Sequence, residues 1–318
     1  MPLFNPLPES PETRLPTVAV LLASYNGVRW LPDQIRSILD QQGVEVQIFI
    51  SDDGSTDGTR EWLDLLASEH QRVILLPKRA HEHSVGSNFF HLIENAPLRG
   101  FDAVALSDQD DIWYANKLRR HFDILQERGA AGVSSNVVAV WPSGYSRLIV
   151  KSDSQKSLDF VFESAGPGCS FLLHPEFVYF VKQKALPAAP EAREFEHHDW
   201  LLYALARSQN LVWVIDDAPC MVYRQHQTNH IGANVGIFPA LKRMRVVASK
   251  VYRARVLEII KICKICAPQL AEQLSATESA LLKTGIPARF ARARMASGFR
   301  RRLRDQMALR FFFVLGWW

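Results

Sequence analysis

The chain has 318 residues, 47% of them hydrophobic and 22% charged, the balance of a soluble globular protein with room for one large domain and an appendage. No apolar run reaches the ~18 residues that a membrane-spanning helix needs, and four cysteines are too few for a disulfide framework, so a reducing cytoplasm fits. The net charge of +4 conceals a division: residues 1–239 hold 20 Lys and Arg against 29 Asp and Glu, whereas residues 240–318 hold 17 against 4, and such a basic tail suits an anionic partner.

Residues 1–16 are Pro-rich and lack a basic segment followed by an apolar one, so they read as a disordered leader rather than a signal peptide. Thr17–Ala23 is a continuous apolar, β-branched run, the pattern of a strand buried on both faces. SYNG then turns the chain; Pro32 suits a first helical turn, and Ile35, Ile38 and Leu39 supply its apolar face. A second strand, Val46–Ile50, ends in SDDGSTDGT. A helix marked by Trp62, Leu63 and Leu66 follows, then a strand at Val73–Leu76 and a helix through Phe89, Phe90, Leu92 and Ile93. Strand Phe101–Leu106 runs into SDQDDIW, and a helix covers Lys117–Gln126. This alternation predicts an α/β fold with a mostly parallel sheet and helices on both faces. Ligands bind such sheets at the carboxyl ends of strands, and Asp52/Asp53 and Asp108/Asp110/Asp111 both follow strands, so both clusters should share one edge.

Three carboxylates in four residues repel one another, which calls for a positive group to offset them. Hard oxygen ligands at this spacing can share a Mg²⁺ or Mn²⁺ that also holds a diphosphate. In an extended segment Asp108 and Asp110 would face one way and Asp111 elsewhere. SDDGSTDGT half-matches a calcium loop, but a strand precedes it where a helix is required, and Asp64 replaces the bidentate Glu. There is neither a G-x-G-x-x-G after the first strand nor a G-x-x-x-x-G-K-[ST] anywhere.

The stretches VAVLLASYNG, ISDDGSTDGT, VGSNFFHLIEN, LSDQDDIWYANKL, GPGCSFLLH, EHHDWLLYALA and YRQHQTNHIGA, in this order, resemble the family 2 glycosyltransferases of GT-A fold. The resemblance is greatest to the rhamnosyltransferase-like branch that builds O-antigen and other bacterial surface polysaccharides. It implies a catalytic domain over 17–238. Asn26, Asp53 and Asn88 would line the nucleotide-sugar pocket, and Asp108 and Asp110 would form the motif that contacts ribose, diphosphate and metal. His226 would be a further metal ligand, and Arg224 and Gln225 would lie near the diphosphate. Asp199, at a helix start, would be the catalytic base, with Gly168, Cys169, Ser170 and Trp200 beside the acceptor. The implied cofactor is Mg²⁺ or Mn²⁺. The implied donor is dTDP-rhamnose, or alternatively a UDP-sugar, and the implied acceptor a lipid-linked saccharide. A noncatalytic nucleotide-sugar-binding or scaffold subunit is the alternative of another class.

Other features read more plainly. His81, His83, His197 and His198 lack zinc spacing and are expected to be polar loop residues. Cys263 and Cys266 lie in a helical run and should pack in the core, and Cys169, with no partner His, should pack rather than attack. Trp113 and Trp200 each follow an acidic motif and either stack on sugar or anchor their loops. From about Pro239 helical spacing takes over: Phe299, Leu303, Met307 and Phe311 recur every four residues, Arg300, Arg301, Arg302 and Arg304 occupy other faces, and FFFVLGWW ends the chain. A basic amphipathic helix of this kind over 239–318 predicts attachment to anionic lipid at the inner face of the cytoplasmic membrane. The alternative is a helix packed on the catalytic domain. No motif supports nucleic acid.

Overall fold

The β-branched run at the start forms β1 (Thr17–Ser24), and its alternation decides how the layers stack. Val18, Val20 and Leu22 point into one hydrophobic layer, and Ala19, Leu21 and Ala23 into the other. The structure, a computed structural model, describes residues 14–78, 84–226 and 250–318. His81, His83 and the expected boundary at 239 lie outside the described residues, as does most of the expected leader; Arg14 pairs with Asp102 at 2.8 Å.

After β1 come α1 (Leu31–Leu39), β2 (Glu45–Asp52), α2 (Thr59–Glu69), β3 (Val73–Leu75), α3 (Val85–Asn95) and β4 (Ala103–Ser107). Then follow β5 (Ile112–Trp113), α4 (Lys117–Glu127), β6 (Gly132–Ser135), β7 (Val137–Val140), β8 (Ser146–Ile149) and β9 (Leu172–Leu173). The domain closes with α5 (Pro175–Phe180), α6 (His198–Ser208), β10 (Trp213–Asp216) and β11 (Met221–Arg224). Seven strands form one sheet in the order β10-β6-β9-β4-β1-β2-β3, parallel except for β9. Apolar residues of α1, α2 and α4 cover one face and those of α3 and α6 the other. Leu22 pairs with Ser107 and Ser24 with Asp52, so the two acidic loops leave one sheet edge together, as expected.

A second sheet, β5-β11-β7-β8, was not expected. Its strands are two to four residues long, too short for alternation to register in sequence.

The tail is helical: α7 (Val251–Cys266), α8 (Ala271–Leu282), α9 (Ile286–Phe299) and α10 (Leu303–Leu315). Cys263 is core, as expected, and burial pushes its thiol up to about 12. The continuous helix expected from Phe299 to Phe311 is corrected: it breaks at Arg300–Arg302. Phe299 turns inward and stacks on Phe162 at 4.1 Å, and Trp318 is buried against Phe162 and Phe313. The arginines at the break do not line a solvent face. Arg300 meets Glu163, Arg302 meets Asp153, and the buried Arg301 meets the fully buried Asp159 at 3.0 Å. Asp159 also accepts from Tyr203 and Arg207 of α6. The tail is therefore pinned to the helix that carries Asp199.

Arg301→Ala should lower the unfolding free energy by about 3 kcal/mol, the low end for a broken buried pair because Tyr203 and Arg207 remain on Asp159. Arg304, whose side chain is 68% exposed, should tolerate alanine without measurable loss in the same urea titration. Equal losses in the two variants would contradict this packing.

Candidate active site

Three loops interlock at the shared edge. Asn26 adopts φ 47°, the left-handed region that a short polar side chain tolerates. Its amide donates to Ser55 Oγ and its Oδ1 accepts from Thr56 N, each at 2.8 Å. Gln109 reaches back to the same turn, accepting from Tyr25 N at 2.9 Å and donating to Tyr25 O at 2.8 Å. A Cβ at Gly27 would lie 2.0 Å from Gln109 Oε1, so this approach requires glycine. Asp53 is buried beneath the turn, and Asn88 donates to Ser51 O at 3.0 Å. The buried Asn88 Oδ1 has no hydrogen-bond partner among the described residues.

The carboxylates converge differently from expectation. The chain bends at Gln109–Asp110 instead of running extended. Asp111 thereby joins Asp108 and Cys169, with one ligand atom of each within 4.8 Å of the others. Asp110 instead meets His226, Oδ2 to Nε2 at 2.8 Å. Burial, then the Asp110 charge, pushes Asp108 up to about 7 and Asp111 well above the usual carboxylate range. Both Asp111 oxygens are buried, and the Cys169 thiol is the donor beside them.

The positive group is Lys117. It is buried at the start of α4, 3.2 Å from the Trp113 ring centre, with Nζ donating to Cys169 O at 2.6 Å. Burial pulls it down to about 8, against the pull of the Asp111 and Asp108 charges, which favour its protonated form. Its signal in the sequence was a lysine in a first helical turn, where the helix dipole disfavours a cation. Burial, then Asp111 and Asp108, pushes the Cys169 thiol well above its ordinary range, so it packs rather than attacks, as expected. The hard oxygens of Asp108 and Asp111, with Asp110 and its His226 partner next to them in the chain bend, are of the donor type that suits Mg²⁺ or Mn²⁺; a protonated thiol adds nothing to that set.

Arg224 laces the acidic loop. Its guanidinium donates to Asp110 O at 2.6 Å, Trp30 O at 3.1 Å and Asp33 at 2.9 Å. Trp30, unremarked in the sequence, lies beneath it and stacks on His226 at 4.6 Å. Gln225 donates to Tyr223 O and Arg224 O.

Asp199 occupies the first turn of α6, as expected. It lies close enough to raise Asp108 and to act on Lys151. Trp200 is buried and donates to Phe160 O at 2.8 Å, and Trp113 is buried against Lys117, so both rings anchor their loops. Ser170 donates to Pro167 O at 2.7 Å and holds the Gly168 turn. His198 is no loop residue: it is buried in α6, stacked on Phe89 at 3.9 Å. A Cβ at Gly168 would lie 2.3 Å from its Nε2.

The sequence profile described as Glycosyl transferase family 2 matches residues 19–157. The dTDP-rhamnosyl transferase RfbG of Shigella flexneri is 39% identical over 239 residues, which is 75% of this chain and 83% of that protein. The putative teichuronic acid biosynthesis glycosyltransferase TuaG of Bacillus subtilis (strain 168) is 32% identical over 117 residues, 36% of this chain and 44% of that protein. Among solved structures, S. aureus TarS 1–349 in complex with UDP-GlcNAc superposes with a TM-score of 0.54 at 13% identity, over 94% of this chain and 92% of that one, a likeness of fold.

The close approach of Gly168 to His198 ties the Gly168 turn to the helix bearing Asp199. Gly168→Ala should cost roughly 1–3 kcal/mol through overpacking. Urea unfolding should show a smaller cost when His198→Ala is already present, since the clash is then relieved. The same loss in both backgrounds would refute the contact.

Proposed function

The chain belongs to glycosyl transferase family 2, and from that premise we propose that it moves L-rhamnose from dTDP-rhamnose to a lipid-linked saccharide in surface polysaccharide synthesis. The observation that carries the donor assignment is the 39% identity to a dTDP-rhamnosyl transferase across 83% of that protein's length. In this reading Asn26, Asp53 and Asn88 receive the nucleoside. Asp108, Asp110 and His226 would hold Mg²⁺ or Mn²⁺, with Asp111 beside Asp108. A divalent cation there supplies Lewis-acid neutralisation of the departing diphosphate. With Asp108 pushed up to about 7, its ligation is easier above that pH than below, because below it a proton must be displaced. Arg224 holds the acidic loop in shape. Asp199 takes the acceptor hydroxyl's proton from the opposite side, and one displacement inverts the anomeric centre. Donor and acceptor gain from being held in line, which removes translational freedom from the reaction.

Nucleotide release from dTDP-rhamnose and from UDP-sugars, with and without Mn²⁺, tests this reading. Wild type should turn over dTDP-rhamnose in a metal-dependent way. Asp199→Asn should lose ~10²–10⁴-fold while still binding dTDP. Preference for a UDP-sugar would replace rhamnose, and full turnover by Asp199→Asn would remove Asp199 as base.

We further place the enzyme at the inner face of the cytoplasmic membrane. With Arg300, Arg301 and Arg302 turned inward, the support lies in a different set of residues. Ile286, Phe290, Leu303, Met307, Phe311 and Trp317 are exposed, and Arg294, Arg304 and Arg310 are exposed beside them. Only one acid, Asp305, stands among residues 283–318. Such a surface suits the headgroup level of anionic lipid. Vesicles containing phosphatidylglycerol should float the wild-type chain at low salt, and Met307→Asp with Phe311→Asp should abolish flotation. Flotation of that folded double variant at the wild-type level would rule this surface out.

A further inference from the structure

The small sheet carries a feature that the reaction above leaves unused. Beyond β7 the chain turns through Trp141-Pro142-Ser143-Gly144-Tyr145 into β8. Trp141 N donates to Tyr145 O and Gly144 N to Trp141 O, both at 2.9 Å, and Gly144 takes φ +81°. This tight turn sets the Trp141 and Tyr145 rings side by side, 5.2 Å between centres and tilted by 42°. Tyr145 is 55% exposed, and neither ring belongs to the hydrophobic core.

Register locates these rings relative to the cleft. Tyr223 of β11 pairs with Ala139 of β7, which pairs with Arg147 of β8. Strand alternation puts Val137, Ala139 and Trp141 on one face, with Tyr145, Arg147 and Ile149 opposite them on that same face. At its inner end Val137 and Ile149 pack in the layer that contains Cys169. Tyr223, also on this face, is near enough to feel Cys169, Asp111 and Asp108. Gln225 N donates to Val140 O at 2.8 Å and so carries the register on beside Trp141. The face therefore runs from the carboxylate cluster outward to an aromatic rim. Two strand spacings, about 10 Å, separate Tyr223 from Arg147. Past β8 the chain reaches Lys151, which borders Asp199.

We infer that the β7–β8 hairpin is the platform for the part of the acceptor saccharide beyond its reacting sugar, with Trp141 and Tyr145 against a ring face and Arg147 donating to its hydroxyls. This rests on the saccharide acceptor proposed above. Tilted rings with polar edges match a sugar, which is apolar on its C–H faces and polar at its rim. Ser143, Ser146 and the exposed Arg147 flank the rings, and the exposed Leu148 lies on the opposite face of β8, so the ring face with Pro142 is too short an apolar surface for a lipid chain or a protein hot spot. The face that carries Tyr223 leads to the reaction centre, and Lys151, within reach of the Asp199 charge, turns the choice toward the acceptor.

The test uses the full chain, dTDP-rhamnose and a panel of octyl glycosides bearing one or two sugars. Wild type should favour the disaccharides through a lower acceptor KM, by about tenfold in kcat/KM, the factor that ~1.4 kcal/mol of contact supplies. Trp141→Ala and Tyr145→Ala should lose that preference, with donor KM, acceptor-free donor hydrolysis and melting temperature unchanged, and Trp141→Phe should restore most of it. No length preference in wild type, or its survival in the alanine variants, would overturn the platform. If wild type binds dTDP yet transfers to no saccharide, the acceptor reading itself fails and the platform with it.

Discussion

Three carboxylates crowded into one bend constrain everything around them. Asp108, Asp110 and Asp111 sit where β4 ends, and burial adds to their mutual repulsion. The loop keeps its shape because each part is held from outside. Gln109 is fastened to the first turn, and Arg224 grips the carbonyls of Asp110 and Asp111. Lys117 sits beneath, on the Trp113 ring and the Cys169 carbonyl. Such a site is preorganised for positive charge: the cost of gathering like charges is met in folding, and a bound cation relieves it.

The same logic extends to α6, which carries the proposed base. Asp199 must be held in place relative to this loop, and α6 is fixed from two directions. Gly168 and Phe89 enclose His198 at its start, and Asp159 ties Tyr203 and Arg207 to Arg301 of the tail. The basic tail is thus part of the scaffold that positions the proposed base, not an appendage. Its inward arginines answer carboxylates of the body, and its outward apolar residues remain for a surface.

Much of this was legible in the sequence. The parallel core rests on long β-branched runs, and the period of two in β1, with apolar residues on both sides, reads directly as a buried strand. The shared edge of the acidic loops followed from strand order, and the first-turn position of Asp199 from the helical spacing after it. What escaped was short or tertiary. Strands β5, β7, β8, β9 and β11 are too brief to show a period, and they pair only because the larger sheet brings them together. The bend at Gln109–Asp110 reversed the expected facing of Asp111, since two-residue alternation holds only for extended backbone. Four-residue spacing from Phe299 to Phe311 suggested one helix because spacing alone cannot register that Arg301 finds a buried Asp159 142 residues earlier.

In the function proposed above, the crowded acidic loop would hold its nucleotide through a divalent cation. Anomalous diffraction from crystals grown with Mn²⁺ and dTDP tests it most directly. A manganese peak is expected among Asp108, Asp110 and His226, adjoining the diphosphate. Bound dTDP with no such peak, or a peak coordinated elsewhere in the cleft, would contradict it.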